Sequence, residues 1–337
     1  MQVRSIVSLA LSLSFFTAVA QKAAPVHLIN TFHILSPGGW DYLAIQPNSN
    51  KLFLSHGTQV NIVDKNSGDS LGVILNTTGV HGIAFIPALN KGYISNGRLN
   101  TVTVFDLKTD NVLTQIPTGI NPDAILYDEF AKVIITCNGK SKDLSIIDPI
   151  TEKVTGTIAV DGRPETAVSD NAGKIFVNIE DKSEIAVIDI KNFKVLNRWS
   201  LAPGESPAGL AYDHKSKRLF SGCSDNKILI IMDAVNGQIV DKITIGGGCD
   251  GVAFDAAEQK IYTSNGEGNM TVIKELNPYK FILESTIPTK RSARTITIDE
   301  ATHKIYLPAA DLQPSSKPDE RPKMIPGSFQ VMVYGTK

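Results

Sequence analysis

The sequence predicts an all-β fold, a seven-bladed β-propeller with four-stranded blades, the last blade closed by the N-terminal strand. Three observations carry this. First, β-branched runs ending in Asp recur at Asp64, Asp106, Asp148, Asp189 and Asp233, spaced by 42, 42, 41 and 44 residues. Second, each copy holds four short apolar runs separated by turn residues, and helix-period patterns are almost absent. Third, seven copies can be counted, the last stopping at its third strand, while the segment from His27 to Leu35 supplies a spare strand.

Within each copy the order is the same. A first strand follows a Gly or a turn: YLAIQ, GIAFI, AILYD, TAVSD, GLAYD, GVAFD and TITID. A second follows the next turn: LFLSH, GYISN, VIITC, IFVNI, LFSGC, IYTSN and IYLPA. The third closes at the repeated Asp, with TVIKE near Glu275 and QVMVY near Tyr334 in copies six and seven. The fourth follows a Gly or Asn turn, as in VLTQIPTG and IVDKITIGG. The repeated Asp belongs to the hairpin between third and fourth strands, where a short carboxylate accepts hydrogen bonds from turn N–H groups. Closing the ring with the N-terminal strand removes two free sheet edges.

The chain of 337 residues therefore reads as a signal peptide over 1–20 followed by one propeller domain over 21–337. The short basic start, the apolar run from Ile6 to Thr17 and Ala18-Val19-Ala20 have the three-part layout of an export signal. That implies a periplasmic or secreted protein without a membrane span, expected as a monomer. A Pro-rich insertion in the last blade, 311–327, carries Pro314, Pro318, Pro322 and Pro326 with Lys317, Arg321 and Lys323, and predicts an irregular loop. Lys and Arg number 33 against 34 Asp and Glu, a net charge of −1 that disfavours a nucleic-acid partner. The three cysteines leave at least one thiol free, and Cys223 with Cys249 is a candidate disulfide. Gly246 to Gly251 satisfies G-x-G-x-x-G, but no helix follows, so a dinucleotide site is excluded.

The stretch from Gly82 to Asp106, with GIAF, KGYISNG and NTVTVFD, resembles the YVTN-type repeat of YncE-like exported propellers and surface-layer proteins. Gly209 to Asp233 and Gly251 to Asn265 are more degenerate copies, and the resemblance spans the mature chain. It implies a propeller and leaves the activity open, since one fold hosts many functions. Relatives include a DNA-associated periplasmic protein and a subunit of a haem-containing amine dehydrogenase. The chain has no haem-attachment motif.

In a propeller the first strands line the central channel. Aligning them gives one residue per blade at the channel mouth: Asp41, His81, Asp123, Glu165, Ala208, Asp250 and Arg294. Six of these seven are ionisable, where a 20% charged composition would give about one or two. Asp41, His81, Asp123, Glu165 and Asp250 are candidate ligands of a divalent cation, Ca²⁺ or Zn²⁺. Arg294 and Arg163 are candidate clamps for an anionic group. Trp40 is expected to form an apolar wall, and the second-strand ends His56, Asn96, Asn138 and Asn265 to add polar contacts. The leading functional reading is binding of a small-molecule or protein partner at this mouth, without chemistry. The alternatives are a metal-dependent hydrolase of the gluconolactonase-like propeller type, and DNA or cell-surface binding.

Overall fold

A computed structural model describes residues 25–314 and 322–336. The export segment expected over 1–20 and the middle of the Pro-rich insertion, with Lys317, Pro318 and Arg321, lie outside the described residues. Seven four-stranded antiparallel sheets form the blades. Blade 1 comprises Trp40–Ile45, Lys51–His56, Gln59–Asp64 and Ser70–Ile74. Blades 2 to 6 repeat the order from first strands Val80–Ile86, Pro122–Asp128, Pro164–Ser169, Pro207–Asp213 and Cys249–Asp255. Blade 7 joins Thr297–Asp299, Lys304–Ala309 and Gln330–Gly335 to His27–His33 on its outside. In that pairing Phe32 faces Val331 and His33 faces Gln330, and the Ile34 N–H donates to the Phe329 carbonyl at 2.9 Å. The first strand of the chain thus completes the last blade.

The burial pattern explains the sequence pattern. Second and third strands lie between neighbouring blades and are covered on both faces, so they read as nearly continuous apolar runs. Fourth strands lie on the rim, and Val112–Pro117 buries only Ile116. The core consists of seven apolar clusters, each at a junction between adjacent blades. At the closing junction Phe32, Tyr306 and Phe329 of blade 7 pack with Leu43, Leu52 and Leu54 of blade 1. The repeated Asp residues are turn caps: Asp64 accepts from the Asn66 and Ser67 N–H groups, and Asp106 from those of Lys108 and Thr109.

Two details depart from expectation. The first strand of blade 7 starts at Thr297, and the Thr295 hydroxyl instead donates to the Asp41 carbonyl at 2.6 Å. The Pro-rich insertion has ordered ends: Leu312 pairs with Met324, the Gln313 N–H donates to Lys323 O at 2.7 Å and the Ile325 N–H to Asp311 O at 2.8 Å.

Candidate functional site

In blades 1 to 6 the ring residue sits at a break in strand register, while Arg294 of blade 7 precedes its strand. In blade 1 Trp40 pairs with His56 and Leu43 with Leu54, so Asp41 and Tyr42 together oppose Ser55. Blades 2 to 5 show the same irregularity at His81, Asp123, Glu165 and Ala208, and blade 6 at Asp250. An extra residue in one strand bends it and re-aims a side chain, and here the ring side chains turn toward the channel mouth. In blades 1, 2, 4 and 6 the opposing residue then ties its blade to the next. The Ser55 hydroxyl donates to the His81 carbonyl, Ser95 to Asp123, Ser264 to Arg294, and the Asn178 amide to Ala208 at 3.0 Å. Ring spacing is set by these links.

Asp41, His81, Asp123, Glu165, Asp250 and Arg294 surround one cavity of about 260 Å³, with Arg163, Glu180 and Tyr42. Ala208 is not part of its wall. His81 Nδ1 lies 2.6 Å from Asp41 and 3.7 Å from Asp123. Arg294 bridges Asp250, with Nε 3.3 Å away, and Asp41 at 3.8 Å. Arg163 lies 2.9 Å from Glu165 and 2.7 Å from Glu180. Five carboxylates therefore face two guanidinium groups and one imidazole.

That imbalance governs the titration of the site. Burial raises the pKa of Glu165, and the charge of Asp123 adds to it against Arg163. Burial likewise raises Asp250 against the opposing pull of Arg294. Asp123 is pushed up to about 7 by burial, which outweighs the attraction of His81. His81 goes up as well: burial disfavours its charge, but the Asp41 hydrogen bond and the Asp123 charge overcome that cost. The cluster thus retains protons at neutral pH that it can release. One donor atom each of Asp41, His81 and Asp123 lies within 4.8 Å of the others, close enough to share a cation.

Other expected site residues lie elsewhere. His56, Asn96, Asn138 and Asn265 are fully buried inside their blades and away from the cavity wall. Asn96 donates to Thr101 and Thr103 of its own third strand, Asn138 to Asp143 and Ser145, and Asn265 to Asn269 and Thr271. His56 stacks on Phe329 with ring centroids 4.1 Å apart and hydrogen-bonds Ser36 and the Gly38 carbonyl, both at 2.8 Å. Gly38 is needed there, at φ +132°, because a Cβ would meet the Gly57 backbone at 3.2 Å. Trp40 also faces the blade 7–blade 1 junction, stacked on Phe329 at 5.8 Å. The alternation along a strand is the reason: neighbours of the re-aimed ring residue point into the sheet packing.

The Cys223–Cys249 disulfide is not formed, and all three thiols are free and buried. Cys137, Cys223 and Cys249 belong to three different junctions, those of blades 3–4, 4–5 and 5–6. Burial pushes each thiol pKa up, so none is primed as a nucleophile.

Sequence reasoning missed Tyr42 and Glu180. Tyr42 had a signal, since it follows the ring residue where other blades carry Gly, Ala or Thr. Glu180 lies in a 3₁₀ turn, Glu180–Lys182, which among the described residues occurs between second and third strands in blade 4 alone and is invisible to a repeat alignment. A larger cavity, about 820 Å³, opens at the far ends of the first strands of blades 7 and 1, lined by Gln46, Asn48, Asn50, Lys65 and Asp299. Its charged pair, Lys65 and Asp299, is closed at 2.9 Å, which leaves Glu300 as its one further carboxylate, against five converging at the mouth.

No family model matches the chain, and no curated protein matches it. Among solved structures, a chain of hydrazine synthase from Kuenenia stuttgartiensis is similar, with a TM-score of 0.70 at 14% identity. The alignment covers 87% of this chain and 96% of that one. Likeness at this identity shows the seven-bladed propeller fold and nothing about activity.

Proposed function

We propose that this is an exported binding protein whose site is the acidic mouth of the propeller channel and whose ligand is a small cation. One observation carries the reading: carboxylates from four different blades converge on a single cavity of about 260 Å³ and outnumber its arginines. Crowding and burial hold several of them partly protonated, and a bound cation would replace those protons. The export part rests on the N-terminal sequence. The motif resemblance to YncE-like exported propellers agrees with it. The acidic mouth offers no support for DNA, whose phosphates it would repel.

A second reading is favoured by Asp41, His81 and Asp123. Two carboxylates and an imidazole suit Zn²⁺ better than Ca²⁺, which takes six to eight oxygen ligands. In a gluconolactonase-like hydrolase these three residues would hold the ion, which would supply Lewis-acid polarisation of a lactone carbonyl, and a neighbouring carboxylate would act as base.

Thermal-shift measurements on the purified protein with a panel of metal and organic cations test the proposal. Stabilisation by at least one cation, abolished in Asp41→Asn/Asp123→Asn, supports it. A panel without any shift refutes it. Lactone turnover that depends on the stabilising metal would select the hydrolase.

A further inference from the structure

The ring residue is followed, blade by blade, by Tyr42, Gly82, Ala124, Thr166, Gly209, Gly251 and Thr295. Six of these side chains are small or absent, and one is a large aromatic. Below the ring lies a second cavity of about 210 Å³, the channel proper, walled by the first strands. Its lining is mixed: Leu43, Ile83, Ile125, Leu210, Val252 and Ile296 alternate with Thr166, Thr295, Asp250 and glycine backbone. Tyr42 borders both the mouth and this channel. It leaves blade 1 and packs against the Ala124 and Ala167 cluster of blades 3 and 4, on the other side of the ring. One side chain therefore spans the channel. Burial, and after it the charges of Asp123, Asp41, Glu165 and Asp250, raise the phenol pKa far up and keep it neutral.

From this geometry we infer that Tyr42 is a stopper. It turns a through-channel into a one-ended cup and makes the site selective for compact cations that fit above it. The inference rests on the proposed cation site and adds its size limit. A cation with an apolar tail has its charge satisfied by the carboxylates, but its tail meets the phenol ring. With Tyr42 reduced to the side chain found at the same position in blades 4 and 7, the tail gains access to the channel and to its aliphatic side chains.

The experiment is calorimetric titration with n-alkylammonium ions from one to six carbons, on wild type, Tyr42→Thr and Tyr42→Phe. For wild type and Tyr42→Phe, affinity stays level or falls as the chain lengthens. For Tyr42→Thr it rises with each added methylene, by at most about fourfold, the value of burying that group fully. Thr is already accommodated at this position in two blades, and thermal melts confirm that each variant is folded. Binding of methylammonium by all three proteins without a chain-length difference overturns the stopper and leaves the cation site standing. A Tyr42→Phe variant that behaves like Tyr42→Thr also overturns it. Absence of alkylammonium binding in all three proteins, Tyr42→Thr included, also overturns the stopper, while the cation site itself stands or falls with the metal-ion panel.

Discussion

Glu275 shows what a single residue must do when a repeat departs from its pattern. It is buried in blade 6, and neither carboxylate oxygen has a hydrogen-bond partner. In blade 1 the residue after the third-strand end is Lys65, which pairs with the buried Asp299 of blade 7 at 2.9 Å. In blade 6 that position is Glu275, and its neighbours are Ser216, Asp213, Arg218 and Lys215 of blade 5. Burial raises its pKa, the neighbouring Ser216 opposes the rise, and the Asp213 charge adds to it. With the folded-state pKa raised, its contribution is fully present below the unfolded value near 4.3 and is lost as pH rises through the folded value. Glu275→Gln should therefore melt like wild type at pH 4 and at a higher temperature than wild type at pH 8. Melting curves at both pH values check this; a variant less stable at pH 8 would contradict it. Asp123 gives a second test, of binding. Since it is pushed up to about 7, cation affinity should be about tenfold weaker at pH 6 than at pH 8, with protons released on binding. Affinity unchanged over that range would show that Asp123 is not a ligand.

At the scale of the strand, two neighbouring positions near the end of the second strand do different work in blades 2 and 6. In blade 2, Asn96 pairs within its own blade, whereas Ser95 accepts from the Gly82 N–H at 2.8 Å and donates to the Asp123 carbonyl of blade 3. Ser95→Ala should lower stability by about 1–2 kcal/mol and weaken cation binding, because it frees the segment that carries Asp123. Urea unfolding and calorimetry read the two effects separately; a stability loss with unchanged binding would assign Ser95 to packing alone. This division of labour was only half legible in the sequence. The ring itself was readable because it recurs once per blade in register with apolar strands. The assignment of His56, Asn96, Asn138 and Asn265 to the mouth failed because nearness in sequence to a channel end does not say which way a strand residue points. The register break beside Asp41 and its counterparts decides that, and it arises from pairing between strands. The free cysteines have the same origin: sequence places Cys223 and Cys249 near one end of the ring, but packing commits them to different junctions.

For the molecule as a whole, stability is distributed over seven junctions, and one of them depends on the start of the chain. Phe32 is 3% exposed and packs at the closing junction with Leu52, Tyr306 and Phe329. Phe32→Ala should cost about 3–5 kcal/mol, seen as a lower urea midpoint. A surface-like effect, below about 0.5 kcal/mol, would show that the N-terminal strand does not hold the ring shut. Fold class, blade count and closure were legible because a fixed period constrains every copy alike. The size of the cup was not, because Tyr42 breaks the period at one position and acts across the ring. The ring brings five carboxylates together around three cationic partners that they must share, and a further cation is the natural complement. Calorimetric titration at pH 8 with Zn²⁺, Ca²⁺ and methylammonium, wild type beside Asp41→Asn/Asp123→Asn, tests that claim most directly. Saturable binding of one cation per chain, weakened at least about tenfold in the double variant, about 1.4 kcal/mol, is the predicted result. No saturable binding of any of the three, or equal binding by both proteins, would contradict it.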